Sequence, residues 1–131
     1  MRYLLDTAVF LWSLNEPERL NKRALAVLQD NSQELFLSAA STWEIVIKAT
    51  IGKLTLPKEP DQLIPQALAR FVARALPITH THSLAVGKLP RHHHDPFDRM
   101  LIAQARSENM VLMTADSFLQ NYPVETLWCG K

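Results

Sequence analysis

Short apolar runs alternate along the chain with longer segments in which apolar residues recur at helical spacing. Five of the runs have the length and the residue types of β-strands. They are Arg2 to Asp6, Glu34 to Ala39, Leu76 to His80, Met110 to Asp116 and Val124 to Trp128. Helical periodicity begins at Asn21, Ser41, Asp61 and Asp95. Strands that alternate with helices predict an α/β fold, a three-layer α/β/α sandwich whose central sheet is mostly parallel.

Composition and charge are those of one globular domain. The chain has 131 residues, of which 47% are hydrophobic and 21% are charged. This length is enough to bury one sizeable core, so we predict a single domain over residues 1–131. Its 14 Lys and Arg residues and 13 Asp and Glu residues leave a formal charge of +1. That balance excludes a general basic surface for nucleic acid, so evidence for such a partner must come from a local site.

Cysteine content and hydropathy predict the cellular environment. Cys129 is the single cysteine, so no intrachain disulfide can form, and a reducing cytoplasm fits better than secretion. Asp6 interrupts the apolar run at the N-terminus, which lacks the pattern of a signal peptide. No segment reaches the roughly 20 apolar residues that cross a bilayer. We expect a cytoplasmic protein with no membrane partner.

Four acidic residues lie where an α/β fold binds its ligands. Asp6 and Asp116 each close a predicted strand, and Glu44 and Asp98 lie in the first turns of two predicted helices. Open α/β sheets bind ligands outside the carboxyl ends of their strands. If the strands that end in Asp6 and Asp116 are neighbours, all four carboxylates can meet at one edge of the sheet.

Helix capping is the simpler explanation for some of these acids. Ser41 and Glu44 match a capping box, and Asp95 and Asp98 match the N-cap and N3 positions of a helix that begins with Pro. A turn-forming role is the corresponding explanation for the acids at the strand ends. We expect Ser41 and Asp95 to be helix caps. Asp98 has a further role, because it shares a helix face with apolar residues three and four positions along.

Crowded carboxylates need a compensating cation. Burial and mutual repulsion raise carboxyl pKa values and cost stability unless a positive charge is present. Ligation by oxygen alone suits Mg²⁺ or Mn²⁺. We predict that Asp6 and Asp98 hold such an ion and that Glu44 and Asp116 complete the site, directly or through water. An ion there would activate water and neutralise the charge on a phosphate under attack.

Polar residues beside the acids are candidates for substrate binding. Thr7 and Thr114 can donate to a scissile phosphate, and a bond to the local backbone is the equal alternative. Lys48 follows Glu44 by four residues, which favours an ordinary helix ion pair over a phosphate contact. Arg99 is a candidate cation at the surface or facing a phosphate.

The histidines do not predict a zinc site. Three in succession, His92 to His94, cannot all face one ion in regular structure, and no cysteine or second histidine pair lies nearby at zinc spacing. His80 and His82 can share one face of a strand, which is weak evidence for zinc. We expect the triplet to form a polar rim. Helical spacing predicts core positions for Trp43, Ile47 and Ile51.

Four motifs together resemble the PIN-domain ribonucleases of the VapC toxin type. They are LLDTAVFLW, SAASTWEI, LPRHHHDPFDRMLIAQA and LMTADSFL, in the family's order over nearly the whole chain. The family's four acids correspond to Asp6, Glu44, Asp98 and Asp116, and the HxDPFDR element of one subgroup corresponds to residues 93–99. His94 stands where related sequences often carry Arg.

The resemblance implies a PIN-like fold and an RNA endonuclease, usually a homodimer, that acts as a toxin. A cognate antitoxin would inhibit it by binding over the active site, and cleavage would leave 5′-phosphate and 3′-hydroxyl ends. A non-toxin RNA-processing nuclease of PIN type, and a non-enzymatic α/β interaction module whose acids only cap helices, are the alternatives. Phosphotransfer folds fit less well, because Ala8 stands where a haloacid-dehalogenase-like phosphatase needs a second Asp and LPITH supplies no phosphorylatable Asp.

Overall fold

A five-stranded parallel sheet forms the centre of the protein. The computed structural model describes residues 1–91 and 95–131, so the expectations for His92 to His94 lie outside the described residues. The strands are β1 (Arg2–Leu5), β2 (Glu34–Ser38), β3 (Ala73–Leu76), β4 (Val111–Thr114) and β5 (Thr126–Trp128). Their order in the sheet is β3-β2-β1-β4-β5, and each pair of neighbours is parallel. The predicted sheet is confirmed.

Helices connect the strands and cover the sheet. The α-helices are α1 (Thr7–Asn15), α2 (Lys22–Gln29), α3 (Ala39–Thr50), α4 (Pro60–Arg70), α5 (His80–Val86) and α6 (Pro96–Ser107). Two 3₁₀ helices span Pro17–Arg19 and Ser117–Asn121. Within the described part of the chain, none of these helices combines the length and apolar character that a bilayer span requires.

Two hydrophobic cores lie on opposite faces of the sheet. Successive side chains of a strand point to opposite faces, and in β1 Tyr3 and Leu5 pack into the core that includes α1 and α2, whereas Leu4 packs into the core that includes α6. All three residues are at most 9% exposed. Burial on both faces explains why the strand is apolar without alternation, and it places Asp6 where the buried run ends.

The third strand lies upstream of its predicted position. The sequence predicts Leu76 to His80, whereas β3 ends at Leu76 and α5 begins at His80. Thr79 is the reason, because it caps α5 in a capping box with His82 and so starts a helix where the apolar run predicts a strand. The prediction of a strand that carries His80 and His82 on one face is therefore wrong.

The helix after β2 also begins earlier than predicted. Its N-cap is Ser38, whose Oγ accepts a hydrogen bond from the Ala40 N–H at 3.0 Å. The prediction that Ser41 is the cap is wrong, because Ser41 is a fully buried residue inside the first turn. The strand passes into α3 without a loop, so the last residue of β2 becomes the cap.

Candidate active site

Asp6 is the buried centre of an acidic site. It follows β1 directly and caps α1, and its Oδ1 accepts a hydrogen bond from the Val9 N–H at 2.7 Å. Only 4% of its surface is exposed. Burial, together with the negative charges of Asp98 and Asp116, raises the pKa of Asp6 to about 6. Hydrogen bonds from the Thr114 hydroxyl and the Val9 N–H oppose this shift.

Asp116 and Thr114 reach the site from β4, the strand next to β1. The fully buried Thr114 hydroxyl accepts a hydrogen bond from the Asp116 N–H at 3.0 Å and donates one to Asp6. Asp116 Oδ1 accepts from the Phe118 N–H at 2.9 Å and so caps the following 3₁₀ helix. Because β1 and β4 pair in parallel, the acids that follow them meet at the same edge of the sheet.

Glu44 enters from α3, which follows the strand on the other side of β1. Its Oε1 accepts from the Thr7 hydroxyl at 2.8 Å, and its Oε2 accepts from Lys48 Nζ at 2.7 Å. The helix ion pair predicted for Lys48 is confirmed. Ser41 Oγ lies 2.9 Å from Thr7 Oγ1, so a short chain of hydroxyl groups ties α3 to α1. Both oxygens of Glu44, a residue only 6% exposed, are therefore engaged.

Asp98 lies in the first turn of α6, and the predicted cap of that helix is confirmed. Asp95 Oδ1 accepts from the N–H groups of Phe97 at 2.8 Å and of Asp98 at 3.1 Å. The negative charge of Asp98 acts on both Asp6 and Lys48. Its carboxylate is therefore near the acidic centre and near the cation held by α3.

Arg99 holds the chain that leads into α6. Its guanidinium donates to the carbonyls of Pro90 at 2.8 Å and Val86 at 3.1 Å, and lies 3.3 Å from the Tyr122 hydroxyl. These contacts give the side chain a structural role beside the site. A phosphate contact by Arg99 stays a prediction.

A family profile described as PIN domain matches residues 3–124. The chain belongs to the PIN-domain family. The resemblance drawn from the four motifs is thereby confirmed, together with the fold that it implies.

One relative and two solved structures illustrate the likeness of this PIN domain to VapC proteins. It is 36% identical over 58 residues to Ribonuclease VapC16 of Mycobacterium tuberculosis, a match that covers 44% of this chain and only 41% of that protein. It resembles the VapBC2 complex of Rickettsia felis bound to promoter DNA with a TM-score of 0.75, 16% identity and coverage of 98% and 99% of the two chains. DNA-bound VapBC of Salmonella typhimurium matches with a TM-score of 0.71, 16% identity and coverage of 97% of each chain. At 16% identity, these two structural matches establish the fold alone.

An aromatic pair, the exposed Trp43 and the partly buried Phe97, adjoins two of the acids in the sequence of this PIN domain. Trp43 directly precedes Glu44, Phe97 directly precedes Asp98, and the two rings meet edge to face with centroids 5.3 Å apart. Trp43 is 60% exposed and Ile51 is 58% exposed, so their prediction as core residues is wrong. The helix carries apolar residues on more than one face, and periodicity alone cannot tell which face is buried.

The chemistry of the acids fits a divalent cation. Asp6, Asp98 and Asp116 offer only oxygen ligands, which Mg²⁺ and Mn²⁺ prefer. Burial, reinforced by the neighbouring carboxylates, raises the pKa of Asp6, so a bound cation would favour its charged form. Among residues 1–91 and 95–131, no group of three or more His, Cys, Asp and Glu side chains forms a ready-made metal site. Because Glu44 is already paired with the cation of Lys48, the other three acids are the better ligands.

A buried polar network at the end of β2 was not predicted. Ser38 Oγ donates to Gln104 Oε1 at 2.5 Å, and Gln104 Nε2 donates to the Pro77 carbonyl at 3.2 Å. Gln104 also lies 3.3 Å from Nδ1 of His82. Ser38, Gln104 and His82 are at most 1% exposed. The sequence signal was the single polar residue in the apolar stretch MLIAQA, which indicates a buried amide that needs partners.

Proposed function

We propose that this PIN domain is a metal-dependent endoribonuclease that acts as the toxin of a toxin–antitoxin pair. The observation that carries the proposal is the convergence of Asp98 and Asp116 on the buried Asp6, at the carboxyl edge of two central strands. Carboxylates gathered around a buried acid are suited to bind a divalent cation. The similarity to Ribonuclease VapC16 supports an RNA phosphodiester as the substrate.

The side chains of the site have separable tasks in this mechanism. Asp6, Asp98 and Asp116 would hold Mg²⁺ or Mn²⁺, which when bound activates water and stabilises the charge on the scissile phosphate. Thr114 and Thr7 donate to the carboxylates, so we assign them to orienting the acids rather than to binding phosphate. In-line attack would leave the 5′-phosphate and 3′-hydroxyl ends that the family resemblance implies.

The exposed ring of Trp43 supports single-stranded RNA as the form of the substrate. Unpaired bases stack on aromatic side chains in single-strand binding sites. The ring is 60% exposed and contacts Phe97, so both aromatic residues directly precede acids of the site. A base stacked there would bring the adjoining phosphate to the acids. The formal charge of +1 provides little long-range attraction, so local contacts of this kind must position the RNA.

An apolar stripe on α3 supports a protein partner. Val46, three residues after Trp43 on α3, is 40% exposed, and Ile51 at the C-cap of the helix is 58% exposed. Beside them lies a groove of about 570 Å³ whose walls include Leu54 and Leu56. Such a groove can accept the apolar face of a partner helix. Because the two similar structures are VapBC assemblies, we propose a cognate antitoxin as the partner, with a cytoplasmic homodimer as the active form.

Cleavage of RNA by matched variants tests the nuclease. A single-stranded RNA labelled at one end is incubated with the wild type, Asp6→Asn, Asp98→Asn and Asp30→Asn, with Mn²⁺ and with EDTA. Asp30 is an exposed acid just before β2, at the opposite edge of the sheet. We expect cleavage by the wild type and Asp30→Asn in Mn²⁺, and a loss of at least about 100-fold in the other two. Equal cleavage by all four proteins, or cleavage in EDTA, contradicts the proposal.

Expression in cells tests the toxin role separately. The wild-type chain should arrest growth, Asp98→Asn should not, and co-expression of a small protein encoded beside the gene should relieve the arrest. RNA cleavage without growth arrest would identify an RNA-processing nuclease instead. Absence of both activities, with Mn²⁺ binding also absent in calorimetry, would identify a non-enzymatic module.

A further inference from the structure

We infer that Lys48 is a built-in cation of the active site, held by Glu44 in the position that a second divalent ion would otherwise occupy. The PIN domain would then work with one divalent ion, bound by Asp6, Asp98 and Asp116, and with one ammonium group. The inference rests on the proposed function, because it concerns how that site balances its charge.

The ion pair between Lys48 and Glu44 differs from an ordinary surface pair. The two side chains are four residues apart on α3, with Nζ 2.7 Å from Oε2. The lysine side chain is 48% exposed, whereas the glutamate side chain is only 7% exposed. Exposed pairs at this spacing contribute little and exchange partners freely. Here the buried partner fixes one end of the pair, so the ammonium is held against Glu44.

Thr7 secures Glu44 from the opposite side. Its hydroxyl donates to Oε1 at 2.8 Å while Lys48 occupies Oε2 at 2.7 Å. To ligate an ion, Glu44 would have to give up one of these contacts in a setting where it is 6% exposed. Loss of a hydrogen bond to a buried charged group is costly. Glu44 therefore binds the lysine, and we assign the ion to Asp6, Asp98 and Asp116.

Acids on a second helix also face the ammonium. Hydrogen bonding to Glu44 raises the pKa of Lys48, and the negative charges of Glu44, Asp95 and Asp98 raise it further. Asp95 and Asp98 belong to the start of α6, which packs against α3 through the contact of Trp43 with Phe97. The ammonium thus contacts an acid of its own helix and feels the charge of acids on a second helix.

This location is incompatible with a second divalent ion. Ions in two-metal sites lie about 3.5–4 Å apart and share carboxylate ligands. An ammonium bonded to Glu44 takes the oxygen that the second ion would use and repels an ion placed beside it. The two N–H donors that Glu44 does not use can instead approach a phosphate oxygen of the RNA, which adds positive charge where negative charge develops in the reaction.

Calorimetric titration with Mn²⁺ at low ionic strength tests the inference without measuring cleavage. The proteins are the wild type, Lys48→Met, Lys48→Arg and Lys53→Met, the last being an exposed lysine just after α3. We expect one ion per chain in the wild type, Lys48→Arg and Lys53→Met. In Lys48→Met we expect a second ion, or binding of the first that is about tenfold tighter, because a neighbouring positive charge is gone. Circular dichroism establishes that each variant is folded, and Lys48→Gln replaces Lys48→Met if that variant is not.

Each result decides a different point. Two ions per chain in the wild type, or identical Mn²⁺ binding by the wild type, Lys48→Met and Lys48→Gln, overturns the inference. Asp98→Asn separates this failure from failure of the proposed function. If Asp98→Asn weakens Mn²⁺ binding while the lysine variants have no effect, only the role of Lys48 is wrong. If Asp98→Asn binds Mn²⁺ like the wild type, or the wild type binds none, the proposed metal site is wrong and the inference falls with it.

Discussion

Replacing Asp6 with Asn should stabilise the metal-free protein at neutral pH. An Asn side chain keeps an oxygen that accepts the hydrogen bond from the Val9 N–H, so the cap of α1 is preserved. The substitution removes a buried negative charge. Because burial raises the pKa of Asp6 from 3.8 to about 6, the charged form is less favourable in the folded chain than in the unfolded chain.

The size and the pH dependence of the effect follow from that pKa difference. A shift of about two pKa units corresponds to about 3 kcal/mol. Since the folded pKa is the higher one, protonated Asp6 contributes this amount to the unfolding free energy of the wild type below about pH 4. The contribution is lost as the pH rises through about 6. The Asn side chain of the variant does not titrate in this range, but the substitution weakens the hydrogen bond from Thr114. The unfolding free energy of Asp6→Asn should therefore exceed that of the wild type by an amount that grows from near zero at about pH 4 to about 1–3 kcal/mol at about pH 7.5.

Urea denaturation in EDTA from pH 4 to 8 measures this difference. The variants are Asp6→Asn and Asp30→Asn, and the second is a control because hydrogen bonds from Ser32 lower the pKa of Asp30. The wild type and Asp6→Asn share every other titrating group, so the difference between their unfolding free energies isolates Asp6. A variant that is less stable than the wild type at pH 7.5, or a difference that is constant with pH, refutes the reasoning.

Addition of Mn²⁺ should reverse the order of stability. An ion that binds only the folded state stabilises it by mass action, and the wild type has the full set of acids whereas Asp6→Asn has lost the central one. The wild type should gain unfolding free energy with rising Mn²⁺ concentration, and the variant should not. An equal gain in both proteins would show that the ion binds elsewhere.

Three further substitutions test the surroundings of the site. Ser38→Ala removes the cap of α3 and the donor to the buried Gln104, and should cost about 1–3 kcal/mol in urea denaturation; an unchanged midpoint would contradict this. Arg99→Lys cannot donate to two carbonyls in a planar fork, so amide hydrogen exchange of residues 86–91 should accelerate, and unaltered exchange would count against the structural role. Trp43→Ala should raise KM for RNA by about tenfold with kcat unchanged, whereas Ile51→Ala at the C-cap of the same helix should not; equal effects would point to a general loss of packing.

The strands that the sequence predicts well are those buried on both faces. β1, β2 and β4 are apolar almost throughout, and the sheet places them at its centre. β3 lies at the edge, and Arg74 and Ala75 in its middle are exposed. An edge strand therefore lacks the continuous apolar run that marks a strand. The neighbouring LPITH is more apolar, but Thr79 uses its hydroxyl to start a helix.

Helix α1 was not predicted from the sequence, for a related reason. Its sequence TAVFLWSLN has Val9 and Phe10 in the core and Leu11 and Trp12 partly buried against it. Apolar residues occupy nearly every face, so no stripe with a period of 3.6 residues distinguishes the helix from a strand. The Asp6 cap is the local signal that remains, and it coincides with the acid that the chemistry of the site requires.

The acids could be located from the sequence because topology places them, whereas their partners could not. A residue that follows a central parallel strand must lie at the carboxyl edge of the sheet, and this argument locates Asp6 and Asp116 without knowledge of any contact. The contact of Thr7 with Glu44 spans 37 residues, and nothing in either local pattern encodes it. The spacing of Lys48 from Glu44 predicts their pairing but not the burial that fixes it. An ordinary helix pair and an active-site cation have the same sequence signature, and they differ only in what the fold packs around them.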